Sequence, residues 1–291
     1  MLSLVQSLPS PSIGKLSIGP LQLSAYGLMI ALGVIAATML ASRRLERIGV
    51  GTSEEMQSVA LWSVFGGLIG ARLYHVVTSW ELFGDDLWRI PMVWKGGLGI
   101  PGGLLGGVAA GGLVVRRLNL SLPAVLTAVA PAIPLAQAIG RWGNWWNQEL
   151  FGRPTTLPWG LEISADKVPA GFSDAVLFHP TFLYESLWSL ALCAALLAVD
   201  RYRPLRPGRL FALYLAGYFA GRFWVEGLRI DPTHTIGTMR LNQWVAITVV
   251  VTALGYLAVD ARRHRDDDRD RDESTGGAAC SPLAEASPSS Q

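Results

Sequence analysis

Apolar positions along this chain gather in blocks too long and too continuous to be the buried stripe of a soluble helix. Seven blocks stand out, at residues 22–41, 56–78, 97–115, 122–139, 181–199, 210–225 and 241–259. At about 1.5 Å per residue, each covers most or all of a hydrocarbon core roughly 30 Å thick, given some tilt. The pattern predicts an all-α polytopic membrane protein with about seven transmembrane helices. Polar breaks between the blocks are short, with one exception. Residues 141–180 are too long for a structureless connector and carry turn formers such as Leu157-Pro158-Trp159-Gly160, with strand-like pieces such as Leu161-Glu162-Ile163. They predict a small folded cap between spans four and five. A second connector, 79–95, holds Trp80, Trp88 and Trp94 and suits a membrane interface. After residue 261 the sequence turns to alternating Arg and Asp, then to Gly, Ser, Ala and Pro, which predicts a disordered tail at 262–291 behind a membrane domain at 1–261.

Composition agrees with this division. Hydrophobic residues make up 51% of the 291 and charged residues only 16%, which excludes an ordinary soluble domain. Charge also orients the bundle, because Lys and Arg are retained on the cytoplasmic side. Alternate connections carry Arg43, Arg44 and Arg47, then Arg116 and Arg117, then Arg201, Arg203, Arg206 and Arg209, then Arg262, Arg263 and Arg265. The opposite connections carry Glu81, Asp85, Asp86, Glu162, Asp166, Asp174 and Asp231. The N-terminus and the cap are therefore expected to face outward and the C-terminus to face the cytoplasm. The first basic residue is Lys15 and the apolar run behind it is long enough to stay as a span, so no cleavable signal peptide is expected. Cys193 in the fifth span and Cys280 in the tail fall in different compartments, so no disulfide, metal site or cofactor is expected. Basic residues scattered over loops without an aromatic platform argue against nucleic acid as a partner.

Chemistry concentrates at the outward ends. Gly-Arg-Trp-Gly-Asn-Trp-Trp-Asn-Gln-Glu-Leu-Phe-Gly, residues 140–152, sets Arg141, Asn144, Asn147 and Glu149 at the mouth of the fourth span. Such groups are costly to desolvate and require partners, and a polar lipid headgroup is one. The plainer alternative is a surface cap, with Arg141 snorkelling to lipid phosphates and the tryptophans in an aromatic belt. Arg72 lies deep in the second span, and Arg222 and Glu226 lie one turn apart at the end of the sixth, where they could neutralise each other at i,i+4. Arg229 follows just beyond. The planar fork of arginine suits paired bonds to phosphate oxygens, and Arg141 and Arg222 together could grip one phosphodiester. His179 opens the fifth span with Glu185 about a turn and a half further on, as a proton acceptor or as a hydrogen-bonded structural residue. Tyr26, near the outer end of the first span, could point inward to a headgroup. In the third span Gly99, Gly103, Gly107 and Gly111 form a smooth stripe for close helix packing, and Pro101 is expected to interrupt the helix there.

These residues resemble the prolipoprotein diacylglyceryl transferases of the bacterial plasma membrane. The likeness rests on Arg141, Gly143, Asn144, Asn147, Glu149 and Gly152 of the 140–152 run, and extends through Tyr26-Gly27-Leu28-Met29, Gly70-Ala71-Arg72, His179-Pro180-Thr181-Phe182-Leu183-Tyr184-Glu185 and Arg222-Phe223-Trp224-Val225-Glu226-Gly227-Leu228-Arg229. The resemblance implies transfer of the sn-1,2-diacylglyceryl group from phosphatidylglycerol to the lipobox cysteine thiol of a preprolipoprotein, with release of glycerol phosphate. It implies catalytic roles for Arg141, Arg222, His179 and Glu149, and a phosphatidylglycerol site made of Arg141, Asn144, Asn147, Tyr26, Arg72, Arg222, Glu226 and Arg229. One position departs from the family: Pro101 stands where many members have a histidine proposed as the thiol base. The base is then His179, Glu149, a lipid phosphate oxygen or water. Two rival classes are weaker on sequence. A transporter should show related halves, and none are evident. A retinal receptor needs a lysine in its last span, yet the lysines are Lys15, Lys95 and Lys167.

Overall fold

The computed structural model describes residues 7–11, 14–18, 21–84, 86–93, 96–172, 175–203, 205–231 and 233–278; Asp85, Trp94, Lys95, Asp174 and Cys280 lie outside them. A β-hairpin, β1 (Lys15–Ile18) with β2 (Leu21–Ser24), leads into α1 (Ala25–Ile48). Ser24 caps that helix by accepting from the Gly27 amide, and Gly49, at φ 74°, closes it in the left-handed conformation that glycine adopts without strain. Helix α2 (Ser53–Thr78) starts from a capping box in which Thr52 and Glu55 satisfy each other's backbone amides. Then follow α3 (Ile100–Arg117), α4 (Leu122–Val129), α5 (Ala132–Asn147), α6 (Thr181–Tyr202) and α7 (Arg209–Glu226). A second hairpin, β3 (Thr235–Ile236) with β4 (Met239–Arg240), runs straight into α8 (Leu241–Ala278).

The protein is mostly helical and membrane-spanning. Four helices are long and apolar enough to cross a bilayer, namely α1, α2, α6 and the Leu241–Arg263 part of α8, and the bent pair α4 and α5 makes five if it is one span. The expectation of seven adds α3, diluted by glycine, and α7, interrupted by Arg222 and Glu226. Much of the helical surface is apolar and outward-turned, with Ile100, Leu104 and Val77 among the most exposed side chains, as suits contact with lipid tails.

Three sequence expectations are corrected. The fourth block, 122–139, is two helices meeting at 41°, because Pro131 has no N–H for the Thr127 carbonyl. Arg44, expected in a cytoplasmic loop, instead lies in α1 at 5% exposure and supplies the missing donors. Its Nη2 donates to Thr127 O at 3.1 Å, its Nε to Ala128 O at 3.0 Å, and its Nη1 pairs with Asp200 at 3.0 Å. Pro101 does not interrupt α3; it occupies the first turn, where no amide is needed. Helix α8 continues past residue 261 as far as Ala278.

Helices α2 and α3 pack backbone to backbone. A methyl group on Gly70 would lie 2.3 Å from Gly102 O, and one on Gly106 would lie 2.2 Å from Gly66 O. The expected stripe also faces α2, through Gly103, Gly107 and Gly111, but the tightest backbone approach runs through Gly102 and Gly106. Near the Arg44 end of the bundle, Leu45, Met56, Val59, Val115, Val125 and Ala128 form one buried cluster. Residues 148–180, between α5 and α6, fold around another, made of Phe151, Leu161, Phe178 and Phe182. Isolated bridges of Leu161 to Leu8 and to Phe178, and of Gly152 to Arg229, stitch this segment to itself, to the chain around Leu8 and to the residues that follow α7.

Candidate active site

The last two turns of α5 present Arg141, Asn144 and Asn147 at i, i+3 and i+6, so all three lie along one side of the helix. Beyond Asn147 the chain makes an unusual turn. Gln148 and Leu150 both take positive φ, 54° and 60°, a region that costs a non-glycine residue energy and persists only where surroundings enforce it. The surroundings are visible. The Gln148 amide group donates to Pro11 O and accepts from the Ser164 amide, and Thr181 Oγ1 donates to Leu150 O. The turn brings Glu149 back over the helix end, where its Oε1 accepts from Asn144 Nδ2 at 2.7 Å and from Asn147 Nδ2 at 3.3 Å. Asn144 Oδ1 in turn lies 3.5 Å from Arg141 Nη1. Tyr26 of α1 closes the other side. Its ring lies so close to Gly143 that a methyl group there would come within 2.6 Å of it, and its hydroxyl is in electrostatic reach of both Glu149 and Arg141.

Arg141 and Arg222, predicted from different spans, do converge. They meet on Glu185 of α6: Arg222 Nη1 lies 2.9 Å from Oε1, and Arg141 Nε is paired with Oε2. Sequence reasoning noted Glu185 but gave it no part in the site. Arg222 also pairs with Glu226, the i,i+4 partner expected from spacing. Glu226 is wholly buried, however, and serves more than Arg222. Arg240 Nε lies 2.9 Å from it, Asn242 Nδ2 donates to it at 3.0 Å, and Arg229 Nη1 lies 3.8 Å away. Arg229 and Arg240 both hold Asp231 as well, at 2.7 and 3.0 Å. Burial works to raise the Asp231 pKa, but its hydrogen bond to Arg229 and the charges of Arg229 and Arg240 outweigh this and hold the carboxyl below the usual range. Arg240 and Asn242 were missed in the sequence. The signal was a polar pair, Asn242-Gln243, at the mouth of an otherwise apolar span.

Arg72 stands apart from this cluster. Its guanidinium donates to the carbonyls of Ile90, Gly96 and Gly97 at 2.6, 2.7 and 3.0 Å and to that of Arg89, and it lies 5.0 Å above the Phe83 ring. It folds the connector behind α2 back onto that helix.

His179 is also turned elsewhere. Its Nδ1 lies 3.2 Å from the Tyr184 hydroxyl, which accepts from Trp159 Nε1 at 3.1 Å. Partial burial, and then the neighbouring Arg153 charge, hold the imidazole pKa below its ordinary value. Gly152 explains itself at the same junction, since a side chain there would strike His179 Cβ at 2.8 Å and Leu228 O at 3.1 Å, where three segments cross. The expected outcome for His179→Gln is therefore retention of most activity with an unchanged pH–rate profile. A folded variant that still binds lipid but is inactive would overturn this placement.

Two arginine forks, a shared carboxylate and an amide-held glutamate thus gather at one set of helix ends of this helical membrane protein. A sequence profile of the prolipoprotein diacylglyceryl transferases matches residues 14–259. Similar proteins include phosphatidylglycerol–prolipoprotein diacylglyceryl transferase 2 of Streptomyces coelicolor, 51% identical over 261 residues, which cover 88% of this chain and 82% of the relative. The phosphatidylglycerol–prolipoprotein diacylglyceryl transferase of Cutibacterium acnes is 48% identical over 262 residues, covering 89% and 88% of the two chains. The chain belongs to the prolipoprotein diacylglyceryl transferase family and is a transferase.

Proposed function

We propose that this protein transfers the sn-1,2-diacylglyceryl group of phosphatidylglycerol to the lipobox cysteine thiol of preprolipoproteins in the bacterial plasma membrane, releasing glycerol phosphate. The names of the relatives supply the two substrates. The observation that carries the reading at this chain's own residues is the meeting of Arg141 and Arg222, from α5 and α7, on the two oxygens of one carboxylate. That is the arrangement two guanidiniums need to hold two oxygens of a phosphodiester. In this reading seven helices cross the membrane, with α3 and α7 the least apolar of them. The N-terminus and the 148–180 cap face outward, as the loop arginines indicate, and the C-terminus lies in the cytoplasm.

The chemistry is a displacement at carbon. The thiol sulfur forms a bond to the glyceryl carbon, the bond from that carbon to the phosphate ester oxygen breaks, and the electron pair leaves on glycerol phosphate. Charge grows on the departing phosphate, so Arg141 and Arg222 stabilise the transition state more than the ground state. Asn144, Asn147 and Tyr26 line the same side and orient the headgroup. Glu226 is buried beside Arg222, with Arg229 3.8 Å from its carboxylate, and we assign both to holding the Arg222 fork in place. A free thiol has a pKa near about 8.5 and must lose its proton. With Pro101 unable to take it, His179 bonded to Tyr184 and Glu149 occupied by the amides of Asn144 and Asn147, the proton goes to the leaving phosphate, whose second pKa is about 6, or to water.

Mass spectrometry of a lipobox peptide incubated with purified protein and phosphatidylglycerol tests the reading. A diacylglyceryl mass gain on the cysteine peptide and none on its Cys→Ser counterpart is the expected result. No gain from folded protein in several lipids would sink it and make solute flux the next assay.

A further inference from the structure

We propose that Glu185 is an internal stand-in for the lipid phosphate: its carboxylate occupies the seat between Arg141 and Arg222, the substrate phosphate displaces it from Arg141, and its return expels the product. This rests on the transferase reading above. Three observations point to it. The first is the geometry, in which one carboxylate spends its two oxygens on guanidiniums from two other helices, as two oxygens of a phosphodiester would. The second is space. The cavity bounded by Arg141, Glu185, Trp188, Tyr218, Gly221 and Arg222 has a volume of about 10 Å³, room for one water and not for a phosphate. The space between the two arginines is therefore too small for a phosphate beside the carboxylate, and a phosphate seated there takes the carboxylate's place.

The third observation is an asymmetry between the two arginines. Arg222 keeps Glu226 as a second carboxylate partner when Glu185 moves. Among the described residues, Arg141 has its ion pair with Glu185 and the long hydrogen bond to Asn144. Arg141 is thus the guanidinium that changes hands. Exchanging a carboxylate for a phosphodiester monoanion leaves the charge on it balanced, so entry of lipid brings no unpaired cation into a poorly solvated site. After transfer the phosphate is a monoester, closer to a dianion, and would remain on the arginines if nothing competed with it. A carboxylate tethered one side chain away competes at high effective concentration. Among the described residues Glu185 is the group placed to do so.

The test is Glu185→Gln, which keeps the shape of the side chain and removes its charge. The expected result is a KM for phosphatidylglycerol about tenfold lower, inhibition by added glycerol phosphate about tenfold tighter, and a reduced kcat limited by product release. Glu185→Asp, which keeps the charge on a shorter stem, should fall between the two and guards against a glutamine variant that fails to fold. A carboxylate that merely braces the helices would give the opposite pattern, a raised KM or unchanged product inhibition, and that result overturns the proposal. The shift in melting temperature produced by glycerol phosphate reads the same competition without turnover and should be larger in Glu185→Gln than in wild type; an equal or smaller shift also overturns it. If wild-type protein transfers nothing, the transferase reading fails by itself, while the melting shift still decides whether Glu185 and phosphate compete.

Discussion

Replacing Arg141 by lysine should lower kcat/KM for diacylglyceryl transfer by a factor of about 10² to 10³, the usual cost of removing one donor that serves a developing oxyanion. The positive charge survives in this variant, so the loss isolates geometry. Lysine is a point charge on a flexible stem and cannot present two parallel N–H groups to one phosphate, nor reach Glu185 along the edge that Nε now uses. Alanine should cost at least as much, and the difference between the two variants measures what the bare charge is worth. The loss should appear mainly in kcat, because phosphate charge increases between bound lipid and transition state. Initial rates against phosphatidylglycerol concentration, with the peptide saturating, provide the split. A lysine variant within threefold of wild type would remove the fork from the mechanism and leave Arg141 as a local charge.

Arg141, Arg222 and Glu226 were legible in the sequence because each is a charge where an apolar run makes charge expensive. What such reading cannot supply is the partner when the partner comes from another helix. Glu185 sits in plain view in the His179–Glu185 segment, yet its role requires α5, α6 and α7 to be brought side by side. Arg72 was visible for the same reason as Arg141, but its partners are backbone carbonyls of the following connector, which no residue type announces. Arg44 was misplaced through a sound rule. Basic residues at the cytoplasmic end of a span do orient the protein, but Arg44 lies inside α1 and reaches carbonyls left without donors beside Pro131. The kink in the fourth apolar block was likewise present in Pro131 and Pro134, though hydropathy alone reads through it. The bounds of α7 follow its apolar block closely, whereas α1 runs to Ile48, beyond a block that ends at residue 41, because hydropathy stops at the first arginines and the helix does not.

Glu226→Ala should destabilise the folded protein by about 3–5 kcal/mol, because it removes the common partner of a buried cationic group. Arg222, Arg229 and Arg240 all approach this one carboxylate, and its side chain has no exposed surface through which water could replace it. Without it three guanidiniums would lose their shared anion, leaving Arg222 with Glu185 alone and Arg229 and Arg240 to divide Asp231 between them. Glu226→Gln retains the shape and part of the hydrogen bonding, and should still lose most of the ionic stabilisation. The diagnostic variant is the double substitution of Glu226→Gln with Arg240→Gln. Removing one cation together with the anion relieves the imbalance, so the double variant should melt above Glu226→Gln alone, by an interaction energy of order 1 kcal/mol or more. Thermal unfolding in detergent, followed by tryptophan fluorescence, provides the comparison. A Glu226→Ala protein that melts with wild type would mean that the cluster is solvated in the membrane, and that Arg222 does not depend on it for the orientation its role in transfer requires.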